Sequence, residues 1–402
     1  MSKQNDVLFP APKLIKPVSQ KCAINLNAQW WENSVPPPAK VIKSLANNNY
    51  NCSHFKLFSR DINVIQAIKQ FKGKALVAFT NWELYDLGNN NLFLENEIKN
   101  LIPYSDTVIG VAVGNEPLGD WYNGEFKPLL VDAVFQVSKM LKLYLPNTFV
   151  TVPFNFAIFD NTYPPSQSKI RDSLKNVVVD TLHIINNHSV LSPVMVNIYP
   201  YLTQEQHPDT VDLNFAVGSD SLACVRDNEL LYTSLFSMMY DSALLAIRKN
   251  GFNMPLEIGE VGWPNGGGFF ANDELECAAL ARLQIDRIIG TPRQPGPITT
   301  YLFEAMDEPW KDIGPGLSER HWGILNFDLS PKCIIQQPML SYNKNNNDPN
   351  LFGLWPFLLL FLPLVCVTSA LFCKPRTFSR LNALNLYYPP IYQRYQTITP
   401  QS

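Results

Sequence analysis

Short apolar or β-branched runs alternate with amphipathic ones along most of the chain. Eight runs have the length and composition of strands: CAINLNAQW (22–30), HFKLFS (54–59), KALVAF (74–79), TVIGVAVGNE (107–116), FVTVPF (149–154), PVMVNIY (193–199), PLEIGE (255–260) and ITTYLFEAM (298–306). Between them, INVIQAIKQF, EFKPLLVDAVFQVSKMLKLY, YTSLFSMMYDSALLAIRKN and DELECAALARLQIDRII repeat apolar residues at the three-to-four spacing of a helix face. PPAKVIKSLANN adds prolines at its start and asparagines at its end, as helix boundaries require. Eight strands alternating with helices over about 310 residues predict a parallel sheet in an α/β fold, closed into a (β/α)8 TIM barrel. An open doubly wound sheet is the alternative. No G-x-G-x-x-G follows the first strand, which argues against its dinucleotide-binding form.

Two of the strands end on a carboxylate. In VAVGNEP the apolar run leads to Asn115 and Glu116, and in PLEIGEVGWP it leads to Glu260. Side chains of a barrel strand point alternately to the interior and to the helix layer. With Glu116 inward, Val108, Gly110, Ala112 and Gly114 also point inward, while Ile109, Val111 and Val113 face the helices. By the same count Glu260 ends the seventh strand above an inward Ile258, and Glu257 faces the helices. Both glutamates then stand at the C-terminal mouth, where barrel active sites are built. Two carboxyl groups flanking a glycosidic bond are the minimal equipment for its hydrolysis. One must be protonated and the other ionised, which predicts a bell-shaped pH profile with an acidic optimum.

These motifs resemble glycoside hydrolase family 17, the β-1,3-glucanases of the retaining (β/α)8 clan, over residues 22 to 333. VGNE (113–116) looks like the family's acid/base motif and E-V-G-W-P-N-G-G (260–267) like its nucleophile motif. The resemblance implies Glu116 as general acid/base, Glu260 as nucleophile and Asn115 as a ligand of the sugar next to the cleaved bond. NIYPY (197–201) implies a cleft role for Tyr199. YLFEAMDEPWK (301–311) and SERHWGILNFD (318–328) imply Glu308, Lys311 and Glu319 as cleft residues that position substrate and bias charge. VPPPAKVIKSLANNN and KLFSRD fit the family's opening strand–helix–strand unit. Val261 replaces the threonine frequent in plant members, and DEPWK looks closer to bacterial and fungal members. Trp263, Trp310 and Trp322 are candidates to stack on sugar rings. Lys311 is expected beside the nucleophile, where it would favour the ionised form.

The implied activity is that of a retaining β-1,3-glucan hydrolase, a glycosidase working through a covalent glycosyl-enzyme intermediate. A glucanosyltransferase with the same carboxylate pair and a catalytically inactive glucan-binding protein are the alternatives. The residues named do not separate the first two, because the outcome depends on the affinity of the acceptor subsite.

Composition narrows this further. A formal net charge of −3 without a basic block in the globular region gives no reason to expect nucleic acid. No C-x-x-C and no H-E-x-x-H occurs, so no metal is expected, and the implied chemistry needs no cofactor. Seven cysteines in 402 residues do not make a disulfide framework. Cys22 and Cys52 could pair at the starts of adjacent strands, but buried free thiols are expected.

The ends differ from the middle. Residues 1–21 are polar and lysine-dotted, without an apolar core of signal-peptide length, and are expected as a disordered lead. The hydrolase domain is assigned to 22–340 and a polar linker to 341–350. Residues 351–373 run 23 positions without a charge and are expected as a single transmembrane helix, before a short basic tail over 374–402. Lys374, Arg376 and Arg380 favour a cytoplasmic tail with the main domain on the other side; a late-inserting tail anchor with a cytosolic domain is the alternative. PPIY (389–392) has the form of a WW-type ligand, and interfacial tyrosines account for it equally well.

Overall fold

The structure, a computed structural model, describes residues 22–27, 35–50, 52–219, 223–311 and 316–333. The lead 1–21, Trp30 and Trp31, the linker, the expected span 351–373 and the tail with its PPIY motif lie outside the described residues. Among the described residues no helix is long and apolar enough to cross a membrane.

All eight expected strands form, and all pair in parallel in one sheet. They are Cys22–Asn25, Cys52–Lys56, Lys74–Phe79, Val108–Val113, a fifth in two pieces (Phe149–Thr151 and Pro153–Asn155), Val194–Asn197, Leu256–Val261 and Thr300–Leu302. The sheet closes at both seams. Strand one pairs with strand eight at Ala23 and Tyr301, and strand five changes partner at Val152, its first piece pairing with strand four and its second with strand six. A closed ring leaves no edge strand exposed.

Helices cover the outside. Pro38–Asn47 starts with its prolines at the first turn, where a missing N–H is tolerated. Ile62–Gln70, Leu235–Arg248 and Asp273–Ile289 are each capped by a side chain, from Asp61, Ser234 and Asn272. Leu130–Tyr144 begins two residues after Pro128, and Asn91–Asn100 and Lys175–Asn186 complete the ring of longer helices.

The barrel interior is filled by Ala23, Leu76, Ala78, Ala112, Met195 and Tyr301, with Phe149 packed against them. Gly110 is required beneath that ring, since a Cβ there would lie 2.3 Å from Phe149. Val111 and Val113 join the outer core, as the alternation predicts. Val108 does not face inward. Strand three pairs Ala75 with Val108 and then Leu76 with Gly110, so Ile109 is an extra residue and Val108 falls with Ala75 in the outer core.

A second irregularity corrects the seventh strand. Ile258 pairs with Val196 but Glu260 pairs with Asn197, so Gly259 is bulged out of the ladder. Parity inverts there. Ile258 packs in the outer core, and Glu257 pairs with the interior Met195.

The expectation of free thiols is overturned for all five described cysteines, Cys22, Cys52, Cys224, Cys277 and Cys333, each of which is in a disulfide. Cys22 is bonded to Cys52 across strands one and two, whose register places the two residues opposite each other. Cys277, on the last long helix, is bonded to Cys333 in the segment that follows the barrel.

Candidate active site

Strand four ends at Val113, and the chain turns sharply through Gly114 (φ 73°) and Asn115 to Glu116 (φ 52°). A left-handed conformation at a residue with a side chain is uphill, so surrounding bonds must hold it. The Glu116 N–H donates to the Pro153 carbonyl (2.8 Å), and the Glu116 carbonyl accepts from Gly119 N–H (2.9 Å). Asn81 grips the residue before it: Oδ1 accepts the Asn115 N–H (2.9 Å) and Nδ2 donates to the Asn115 carbonyl (2.8 Å). The result is a fixed, buried carboxyl whose Oε1 accepts from Asn197 Nδ2 at 2.9 Å.

Burial pushes the Glu116 carboxyl up to about 8, and the charge of Glu260 adds to the push. Hydrogen bonds from Asn197 and Asn155 and the charge of Lys56 oppose it. The net result is a carboxyl that keeps its proton at neutral pH.

Glu260 has the opposite surroundings. Its Oε1 accepts from Lys56 Nζ at 2.7 Å and its Oε2 from the Tyr199 hydroxyl at 2.6 Å. Lys56 is itself buried at the end of strand two, where its Nζ also donates to Asn25 Oδ1 (3.1 Å) and Asn115 Oδ1 (3.4 Å). Desolvation lowers the lysine's pKa and the Glu260 carboxylate resists that. The two glutamates are linked through strand six: Asn197 is the register partner of Glu260 and the hydrogen-bond donor to Glu116.

The segment after strand eight supplies a second charged group. Lys311 Nζ lies 2.6 Å from Glu304 Oε1 and 3.0 Å from Glu308 Oε2, and 4.5 Å from the centroid of the Phe303 ring. Glu308 also accepts from Asn27 Nδ2 (3.1 Å). Burial raises Glu319, opposed by Lys311 and by the Trp322 indole and reinforced by the charges of Glu260 and Glu308. Glu304 is raised well above the carboxyl range by burial and by Glu308.

Asn115, Glu116, Tyr199, Glu260, Glu308, Lys311 and Glu319 are therefore gathered at one end of the barrel. Two expectations change. The cation on Glu260 is Lys56, not Lys311, which is occupied by Glu304 and Glu308. Trp263 has a packing position: it is 2% exposed, its indole N–H donates to the Phe270 carbonyl (2.9 Å), and it lies edge-on against Tyr201. Trp322 likewise packs between Tyr199, Tyr201 and Phe303. Trp310 is half-buried against Phe327.

Sequence reasoning missed Lys56, Asn197, Asn25 and Glu304. Lys56 carried a signal, as a charge inside the apolar run HFKLF, and Asn197 another, as the polar residue ending PVMVN. Neither shows in the sequence which carboxylate it serves.

Comparison with known proteins agrees with this geometry. The chain is 32% identical to glucan endo-1,3-beta-glucosidase 8 of Arabidopsis thaliana over 313 residues, which cover 74% of this chain and 63% of that protein. Less than two thirds of that relative's length is thus represented. Among solved structures, a beta-1,3-glucanase and pollen allergen of Cryptomeria japonica superposes with a TM-score of 0.71 at 27% identity, covering 77% of this chain and 98% of that one. A family 17 beta-1,3-glucanosyltransferase of Rhizomucor miehei gives a TM-score of 0.50 at 20% identity over 78% and 97% of the two chains, and shares the fold. Of these three, the two plant proteins match more closely than the fungal one, although the DEPWK segment alone reads the other way. Residues 23–336 match the model of glycosyl hydrolases family 17, and with its barrel and its paired glutamates at the ends of strands four and seven the chain belongs to that family.

Proposed function

We propose that the protein is a retaining β-1,3-glucan hydrolase in which Glu116 is the general acid/base and Glu260 the nucleophile. The observation that carries this reading is the unequal treatment of the two carboxyls. Glu260 accepts from an ammonium and from a phenol hydroxyl, one on each of its oxygens. Glu116 is buried with an amide donor and is pushed up to about 8. In the first step a Glu260 oxygen attacks the anomeric carbon while Glu116 gives its proton to the departing glycosidic oxygen. In the second, Glu116 takes a proton from water, which displaces Glu260 and frees the sugar. Asn115 is assigned to the sugar beside the cleaved bond. Tyr199 both holds Glu260 and lines the cleft. Glu308, Lys311 and Glu319 set the charge of the opposite wall.

β-1,3-Glucan as substrate is supported by the names of the plant relatives and by the family. The test is product analysis on a defined β-1,3-gluco-oligosaccharide with the full chain. Only shorter products fit a hydrolase, and their sizes separate endo from exo action. Products longer than the substrate would replace this reading with a glucanosyltransferase. No turnover with both glutamates intact would reject the linkage.

Residues 351–373 are proposed as a single membrane anchor, from their 23 uncharged positions. The Cys22–Cys52 and Cys277–Cys333 disulfides support a catalytic domain on the oxidising, non-cytoplasmic side. Recovery of the chain from carbonate-washed membranes would support the anchor, and release into the wash would reject it.

A further inference from the structure

We infer that Phe269 and Glu205 form an additional sugar subsite at the rim of the cleft, which takes a glucose unit of the β-glucan chain remote from the cleaved bond. The inference rests on the glucan reading above and goes beyond it by placing a residue that selects chain length.

Phe269 is 89% exposed on the loop that follows strand seven, nine residues beyond Glu260. The loop beneath it is held at several points. Phe270, edge-on to Phe269 with ring centroids 5.1 Å apart, accepts the indole N–H of the buried Trp263 through its carbonyl. Gly268 is pressed so closely on Tyr201 that a Cβ would lie 1.7 Å from the tyrosine hydroxyl, and that position is 2.9 Å from Glu205 Oε1. Gly267 is pressed on the Leu317 backbone, at 2.3 Å for a Cβ, in the segment that leads to Glu319. The exposed ring therefore projects from a fixed base shared with both walls of the site.

Glu205 supplies the second element. It lies on the short helix Pro200–Gln206 that follows strand six, and its Oε1 accepts from the Tyr201 hydroxyl at 2.7 Å. That bond holds one oxygen of the carboxyl beside Gly268, next to Phe269. A pyranose has an apolar C–H face and a rim of hydroxyls. An exposed aromatic ring one residue from the position where the Glu205 carboxyl is held offers both, the ring taking the C–H surface and the carboxylate lone pairs accepting from hydroxyls. Preorganisation reduces the entropy lost on binding.

The experiment measures binding and turnover over β-1,3-gluco-oligosaccharides from disaccharide to heptasaccharide with the full chain. At 89% exposure, Phe269→Ala removes no core packing, so its effect is not one of folding. Phe269→Ala should raise KM for the longer chains on the order of tenfold and leave kcat and the shortest cleaved substrates within about twofold. Phe269→Tyr should restore the KM, and Glu205→Gln should show a smaller loss with the same length dependence. A KM unchanged at every length, or raised equally at all lengths, overturns the subsite. Calorimetry on Glu260→Ala, with and without Phe269→Ala, separates the subsite from the activity. Affinity that grows with chain length and loses that growth in the double variant supports the subsite even if the native chain turns over no glucan, an outcome that counts against the hydrolase reading alone. Length-independent affinity, or no affinity, overturns the subsite.

Discussion

Glu116 and Glu260 are the same side chain in two environments, and the difference predicts how activity depends on pH. An acid must carry its proton, so the rate falls as pH rises through its pKa. With Glu116 pushed up to about 8, the descending limb of kcat/KM should lie near pH 8 and leave the enzyme active at neutral pH, above the acidic optimum that the bare motif suggests. Glu116→Gln should lose most of its activity on glucan and keep it on activated aryl glycosides, whose leaving groups need no proton, and the limb should vanish on those substrates. Equal losses on both would reject Glu116 as the acid. Lys56 has a different prediction, in stability. It is 1% exposed and bonded to a carboxylate that is nearly as buried, so Lys56→Met leaves that charge with Tyr199 alone. Breaking one side of such a pair costs about 3–5 kcal/mol. Urea unfolding should show that loss at neutral pH, and Lys56→Met combined with Glu260→Gln should recover part of it. Additive losses in the double variant would mean that the pair is not coupled.

At the scale of elements, the strands were legible because a period of two and β-branched runs are local properties. Register was not, since it depends on the neighbours that a strand meets. The extra residues at Ile109 and Gly259 inverted the facing of Val108, Glu257 and Ile258, yet both catalytic candidates still reached the mouth. Gly259 shows why its bulge cannot carry a side chain. A Cβ there would stand 2.6 Å from Asn197 Oδ1 and 2.8 Å from Met195 Cγ. Gly259→Ala should cost about 1–3 kcal/mol from overpacking and also lower kcat, because Asn197 is the donor to Glu116. A variant with native kcat would show that Asn197 does not need its present place. The disulfides depend on register in the same way: the Cys22–Cys52 pairing is open in the sequence and is decided only once strands one and two pair, and Cys277 and Cys333 are 56 residues apart. That second link ties the helix Asp273–Ile289 to the segment carrying Glu319 and Trp322. By loop entropy, its removal with Cys277→Ser and Cys333→Ser should destabilise by about 4 kcal/mol. A denaturation midpoint unchanged from the native protein would contradict this.

For the whole molecule, the formal charge of −3 says less than the location of the acids. Burial pushes Glu116 and Glu276 up to about 8, Glu257 up to about 7 and Asp241 up to about 6, and also raises Glu304, Asp307 and Glu319. The unfolded chain titrates these groups near about 4. Folding therefore binds protons between the two values, and the contribution of each group is fully present below about pH 4 and lost as pH rises through its folded value. Glu83 acts with the opposite sign: burial raises it, but Arg60 and Thr80 outweigh burial and lower it, so its contribution fails as pH falls below about 4. His188 and His207, lowered by burial, also favour higher pH. The raised acids outnumber Glu83, His188 and His207, which places the maximum stability on the acidic side of neutrality. The thermal midpoint, measured without reductant, should fall by at least about 5 °C between pH 5.5 and pH 8.5. Glu257→Gln with Glu276→Gln should flatten that slope, because an amide in the same place has no proton to lose. Both positions lie outside the catalytic pair, so the change should appear in the melting curve and not in the alkaline limb of kcat/KM. A midpoint that rises over the same interval would mean that the buried acids are ionised in the folded protein, and the protonated Glu116 required of the acid would lose its main physical support.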